Sequence, residues 1–258
     1  MEMLPTEICP VAVSRTTAEK YIAGENYLIR MVLSGFGAVT DEKSVDLLRS
    51  GTALLIRPDE RLRIEMLARA TFLDFYFHAE AAALIRPAVP SFAEHRTRQI
   101  TAAELEQVKL LGDEIGFERQ REKPGYQLAA LEKLLSLVRL LFQHGKPAGK
   151  LERKIADSLL FIVENYSRDI TLHDLGEFSG MSISHYRRSF RQLLGISPID
   201  GLLNYRLFQA EKLLRETSIP IAEAAAETGF NDANYFSRIF TRRKGMTPRE
   251  WRYAGRKK

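Results

Sequence analysis

The side chains in this sequence that are grouped for chemistry are arginines, amides and hydroxyls set at helical spacing. Ser184, Arg187, Arg188 and Arg191 form one group, and Asn234, Ser237, Arg238 and Arg242 form a second. A guanidinium is a planar fork of donors that engages paired acceptors bidentately, an amide matches a neighbouring donor and acceptor, and a hydroxyl does either. No acid lies between Ser182 and Ile199, or between Ala233 and Arg249, so nothing inside these stretches neutralises the cations. Such groups suit the reading of base edges and phosphates rather than the making of bonds.

Other chemistry finds little support. Cupin-type metal centres need histidines and a carboxylate at ligand spacing. His78 ends a strand and His95 lies just outside the strand region, but neither has an H-x-H or H-x3-4-E companion, so no metal is expected. No Ser/His/Asp motif and no phosphate-binding G-x-x-x-x-G-K-[ST] run is present, so neither an enzyme nor a cofactor is expected. Arg30, Asp74, Tyr76 and His78 are polar groups on otherwise apolar strands. They are the candidates for contact with a small-molecule effector; the plainer alternative puts each on a solvent-facing side.

The elements that must position the arginines form an internal repeat. Phe190 and Phe240 each begin F-x4-G-x-[ST]-P, ending at Pro198 and Pro248, 50 residues apart. Tyr186 and Phe236 match four residues earlier, and Arg188 and Arg238 two residues earlier. Each frame closes with hydroxyl, proline, any residue and acid (Ser197 to Asp200, Thr247 to Glu250), the signature of a helix start. Each is preceded by a short helix and a glycine turn, at Gly180 and Gly229. A short helix, a tight glycine turn and a longer helix make a helix-turn-helix unit. Small Gly176 and Ala225 let the paired helices approach, and Met181 and Phe230 plug the turns. Tyr186, Phe190, Leu193 and Leu194 are expected to face inward in the first unit, and Tyr235, Phe236, Ile239 and Phe240 in the second. A helix fits the DNA major groove, and its N-terminal half reaches base edges.

The rest of the chain divides by pattern. From Tyr21 to His78, short apolar runs at close spacing predict an antiparallel β-sandwich or barrel, including Tyr27 to Leu33, Val45 to Leu48, Ala53 to Ile56, Leu62 to Leu67 and Thr71 to Phe77. Helices are predicted over Thr101 to Phe117, opened by a Thr101/Glu104 capping box, and over Tyr126 to His144, with Pro124-Gly125 between them. The second carries a leucine stripe, suited to pairing with a second copy or to packing on its own sandwich. Gly145 to Lys150 reads as a linker. The net charge is +5. All of that excess lies from Leu151 onward, where 18 Lys and Arg face 13 Asp and Glu. A basic module is thus joined to a neutral one. The single cysteine, Cys9, fits a reducing cytoplasm, and no apolar run suggests a signal peptide or a membrane span.

The stretch Gly229-Phe230-Asn231-Asp232-Ala233-Asn234-Tyr235-Phe236-Ser237-Arg238-Ile239-Phe240, followed by Gly245 to Arg252, resembles the signature of the AraC/XylS family of transcription regulators. Arg206 to Leu214 is similar to that family's joining helix, and about 100 residues take part. The resemblance implies seven helices, with two recognition helices in adjacent major-groove segments of double-stranded DNA. Carried over by position, the base-reading candidates are Ser184, Arg187 and Arg188, then Ala233, Asn234, Ser237 and Arg238. Gly176 and Ala233 depart from the family's usual residues.

The expectation is therefore an α+β chain. Residues 1–98 form a cupin-like effector-sensing β-sandwich, 99–144 a helical dimerisation segment, 145–151 a linker, and 152–258 an all-α DNA-binding domain with two helix-turn-helix units. The function expected is a cytoplasmic, homodimeric, sequence-specific regulator, an activator of sugar or related metabolite genes responsive to a small molecule such as a sugar, with RNA polymerase as a further partner and no membrane role. The rivals are a constitutive DNA-binding protein whose N-terminal domain only dimerises, and a cupin metalloenzyme fused to a DNA-binding domain.

Overall fold

The computed structural model describes residues 9–12, 19–22, 26–58, 60–77, 79, 82–83, 96–121 and 124–255. The chain is of the α+β class and divides into two compact units, Met1–Ala156 and Asp157–Lys258. His78 and His95, candidates of the sequence reading, lie outside the described residues.

Among the described residues the first unit is built on nine strands: β1 (Cys9–Ala12), β2 (Glu19–Ile22), β3 (Tyr27–Ser34), β4 (Phe36–Thr40), β5 (Val45–Arg49), β6 (Thr52–Ile56), β7 (Arg61–Met66), β8 (Thr71–Phe77) and β9 (Thr97–Gln99). They form two sheets, ordered β1-β8-β3-β6-β9 and β2-β7-β4-β5. Every named pairing is antiparallel. Alternation along the strands creates two apolar layers. Leu28, Val32, Leu54, Ile56 and Phe72 of one sheet meet Val39, Leu48, Leu62, Ile64 and Met66 of the other. The opposite face of the first sheet, with Ile29, Met31, Leu55, Phe75 and Phe77, packs on two helices.

Those helices are α1 (Ala102–Arg121) and α2 (Tyr126–Arg139). The Thr101/Glu104 box caps α1 as expected: Thr101 N donates to Glu104 Oε2 at 2.7 Å, and Glu104 N donates to Thr101 Oγ1 at 3.3 Å. The helix runs one turn past its expected end at Phe117. A single π-helical turn, Leu140–His144, extends α2. Most of the leucine stripe is spent on the chain's own sandwich, since Leu134, Val138, Leu141 and Phe142 are buried in that core. Leu128 and Leu135 stay exposed, at 60% and 40%.

The second unit continues from α3 (Lys150–Asn165), which spans the division, through α4 (Leu172–Phe178), α5 (Ile183–Leu194), α6 (Pro198–Glu216), α7 (Ile221–Glu227), α8 (Ala233–Lys244) and α9 (Pro248–Gly255). Counting α3, seven helices follow residue 149 among the described residues.

Candidate nucleic-acid interface

The pairs α4–α5 and α7–α8 are built alike, bond for bond. In the first turn Met181 N donates to Gly176 O at 3.0 Å and Gly180 N to Glu177 O at 2.9 Å. In the second, Phe230 N donates to Ala225 O at 2.9 Å and Gly229 N to Ala226 O at 3.0 Å. Gly180 and Gly229 take φ values of 60° and 82°, the left-handed region that glycine enters without a Cβ penalty. A buried hydroxyl precedes each glycine. Ser179 Oγ donates to Leu175 O at 2.7 Å, and Thr228 Oγ1 donates to Ala224 O at 2.7 Å. These two hydroxyls were missed in the sequence, although Ser-Gly and Thr-Gly stand at matched places in the repeat.

Each long helix then starts on a cap. Ser182 Oγ accepts from His185 N, and Asp232 Oδ1 accepts from Asn234 N at 2.7 Å and Tyr235 N at 3.0 Å. Those two backbone donors hold the Asp232 carboxyl below the usual carboxylate range. Each helix ends on a left-handed glycine, Gly195 and Gly245. The apolar side anchors it. Tyr186 and Phe190 are fully buried, and the Tyr186 hydroxyl donates to Ser158 at 2.9 Å. Burial pushes the Tyr186 phenol up to about 12. In the second unit Phe230, Phe236, Phe240 and Trp251 form a chain of rings with centroids 5.0 to 5.9 Å apart. Tyr235 does not join that core as expected: it is 43% exposed, with the Arg238 guanidinium 5.9 Å from its ring centroid. It sits one residue before the buried Phe236, and a helix turns 100° between neighbours.

With the apolar face fixed, the opposite face is determined. Ser184, Arg187, Arg188 and Arg191 are all exposed on α5. Asn234, Arg238 and Arg242 are exposed on α8, and Ser237 is half-buried. Among the described residues none of these five arginines forms an ion pair, whereas Arg243, turned to the other side, pairs with Asp200 at 2.8 Å. Arg243 thereby ties the end of α8 to the start of α6. Free donors are gathered on two matched helices, and the cations that brace the fold are elsewhere.

The effector candidates behave differently. Arg30 and Asp74 face one another across β3 and β8. Arg30 Nε donates to Asp74 Oδ1 at 2.9 Å and Nη2 to Oδ2 at 2.6 Å. Both are buried, on the face shared with Leu28, Val32 and Phe72, so the plainer alternative of a solvent-facing side does not hold for them. Arg30 also lies 4.8 Å from the Phe72 ring centroid. Tyr76 is half-buried against the same layer. Alternation brings these three to one side of the sheet; the bidentate pairing was not legible, because strand pairing brings residues 44 apart into register. Among the described residues no group of three His, Cys, Asp or Glu is placed to hold a metal, and no helix is long and apolar enough to cross a membrane.

Two matched helix-turn-helix units, each turning an uncompensated basic face outward, define the class of the second unit. Residues 175–254 match the family model described as a helix-turn-helix domain. The chain is 39% identical over 129 residues to the transcriptional activator RhaR of Cronobacter sakazakii, covering 47% of this chain and 44% of that protein. It is 29% identical over 155 residues to RhaR of an Enterobacter species, covering 60% and 53%. This chain thus spans about half the length of the curated relatives it matches. Among solved structures, the C-terminal domain of AraT, a response regulator from Geobacillus stearothermophilus, is 32% identical, covering 41% of this chain and 88% of that one, with a TM-score of 0.39. The match to the helix-turn-helix model falls on the stretch whose motifs resemble the AraC/XylS signature.

Proposed function

We propose that this chain is a sequence-specific transcription regulator that binds double-stranded DNA through α5 and α8, each in its own segment of the major groove. The observation that carries this reading is the pair of matched helices whose exposed arginines form no ion pair among the described residues. Arg187 and Arg188 favour guanines, Asn234 suits adenine, and Ser184, Ser237 and Arg238 complete the base-reading set; Arg191 and Arg242, nearer the helix ends, suit phosphates. The joining helix α6 has 19 residues. At 1.5 Å per residue it is a rod of about 28 Å, on the scale of the ~34 Å repeat that separates successive major-groove faces.

The relatives named as transcriptional activators support an activating role; genes of sugar or related metabolism as targets and RNA polymerase as a partner complete the proposal. In this reading residues 1–98 are a cupin-like sensor, 99–144 dimerise, 145–151 link, and 152–258 bind DNA in the cytoplasm. Exposed apolar side chains on the helical layer support the dimer. Leu110 and Phe117 on α1, and Leu128 and Leu135 on α2, each seven residues apart, are 40% to 62% exposed. The test is selection of binding sites from random duplex DNA by the purified full chain. Enrichment of one site with two different elements about 10 base pairs apart, guanine-rich in the element under α5, is the expected result. Binding without any enriched sequence would sink the reading.

A further inference from the structure

The linker predicted at Gly145 to Lys150 is not a free tether. Lys146 pairs with the outer edge of β9: Gln99 N donates to Lys146 O at 2.8 Å, and Lys146 N donates to Gln99 O at 3.0 Å. Gly145 makes this approach possible, since a Cβ there would fall 2.2 Å from Leu141 O and 2.9 Å from Arg98 Cβ. The Gln99 side chain holds the other direction. It accepts from Thr52 Oγ1 at 2.9 Å and donates to Ser50 O at 3.0 Å, so one residue clamps the β5–β6 corner and the linker together.

Beneath this bridge is a cavity of about 240 Å³, walled by the β5–β6 corner, the start of α1, the linker and the first turn of α3. It lies outside the interior face that holds Arg30 and Asp74. Arg49 lines it, half-buried, and its guanidinium makes no hydrogen bond or ion pair among the described residues. Lys146 lines it from the linker side. Glu104 and Glu152 complete the wall. Glu104 spends only Oε2 on the helix cap, leaving Oε1 toward other donors.

We propose that this cavity binds a small hydroxylated carboxylate, a sugar acid by class, and that its binding fastens the linker to the sandwich. The inference rests on the regulator reading above. The Arg49 guanidinium feels the Glu152 carboxylate electrostatically but forms no hydrogen bond or ion pair among the described residues, and such a fork is built for a planar carboxylate. Two acids and a glutamine beside it accept from hydroxyls, and the same acids repel an ion carrying more than one negative charge. At ~30 Å³ per water the volume is that of about eight waters, the scale of a single sugar ring or chain. Because Lys146, Pro147 and Ala148 form one wall, a ligand is held fully only while the linker is docked. By linkage it stabilises the docked linker against its undocked state.

The experiment uses the full chain with D-gluconate and D-glucuronate at up to 10 mM as probes, on the order of the weakest affinities expected for so small a ligand, and D-glucose as the control without a carboxylate. The readouts are thermal midpoint and hydrogen exchange at the Gln99 and Lys146 amides. At least one acid is expected to raise the midpoint and slow both amides, glucose to do neither, and Arg49→Met to weaken the effect by about tenfold or more through loss of a charge-assisted pair. Binding to random-sequence and selected duplex DNA is measured on the same samples. Loss of DNA binding with the acid effect intact counts against the regulator reading alone. Normal DNA binding with neither acid altering midpoint or exchange, or an Arg49→Met protein that responds like the parent, overturns the cavity proposal.

Discussion

Arg30 and Asp74, expected as separate polar groups on their strands, are instead partners across β3 and β8. With both partners buried, each satisfies the other, and removing one strands a charge in an apolar layer. Arg30→Met is expected to lower unfolding free energy by roughly 3–5 kcal/mol, and the double change with Asp74→Leu to recover most of that loss. Denaturant melts of the four proteins in that cycle check it; additive losses would deny the pairing. Tyr186 offers a test by pH. Its folded phenol titrates at about 12 against an ordinary value of 10.0, because burial disfavours the phenolate. A raised value means the contribution is whole below pH ~10 and is lost as pH climbs toward 12, amounting to roughly 2–3 kcal/mol. Tyr186→Phe should therefore lose less stability than the parent between those two values in parallel alkaline melts. Equal losses would mean the phenol is hydrated.

At the scale of elements, the repeat was the most legible part of the chain, because caps, glycine turns and aromatic anchors are local signals that need no knowledge of tertiary partners. The two units are offset by 49 residues through the turns, Gly180 to Gly229, and by 50 along the long helices, Tyr186 to Phe236. Asn231 is the extra residue. Ser179 and Thr228 stand at the same offset of 49, but nothing local shows that their hydroxyls turn inward. Thr228 is fully buried, and its hydroxyl is bonded back to the helix before the turn. Thr228→Val should cost about 1 kcal/mol, seen as a lower thermal midpoint, with Ser179→Ala costing a similar amount. No change in either would make these hydroxyls incidental. The strands were less legible. β4 was missed because Phe36 to Thr40 begins with glycines on both sides of Phe36, and β9 because three residues carry no period. The docked linker was invisible, since the bridge joins Gln99 to a residue 47 positions away.

At the scale of the molecule, charge is placed unevenly: the excess of Lys and Arg lies from Leu151 onward, close to where the second compact unit begins. The leucine stripe of α2 was open between a partner and the chain's own core, and the structure gives part of it to the core. Leu134, Val138 and Leu141 serve the core, while Leu128 and Leu135 remain outside. Leu128→Glu with Leu135→Glu should leave each monomer folded and shift the sedimenting species from dimer to monomer. An unchanged dimer would place the interface elsewhere.

The central claim is that α5 and α8 read DNA together. Its most direct test is the affinity of Arg188→Ala and Arg238→Ala proteins for the duplex selected by the parent, measured by fluorescence anisotropy at several salt concentrations. Each change is predicted to cost roughly 1–3 kcal/mol and to relax base preference in its own element of the site only. Full affinity and unchanged preference in both proteins would contradict the assignment of these two helices as the readers.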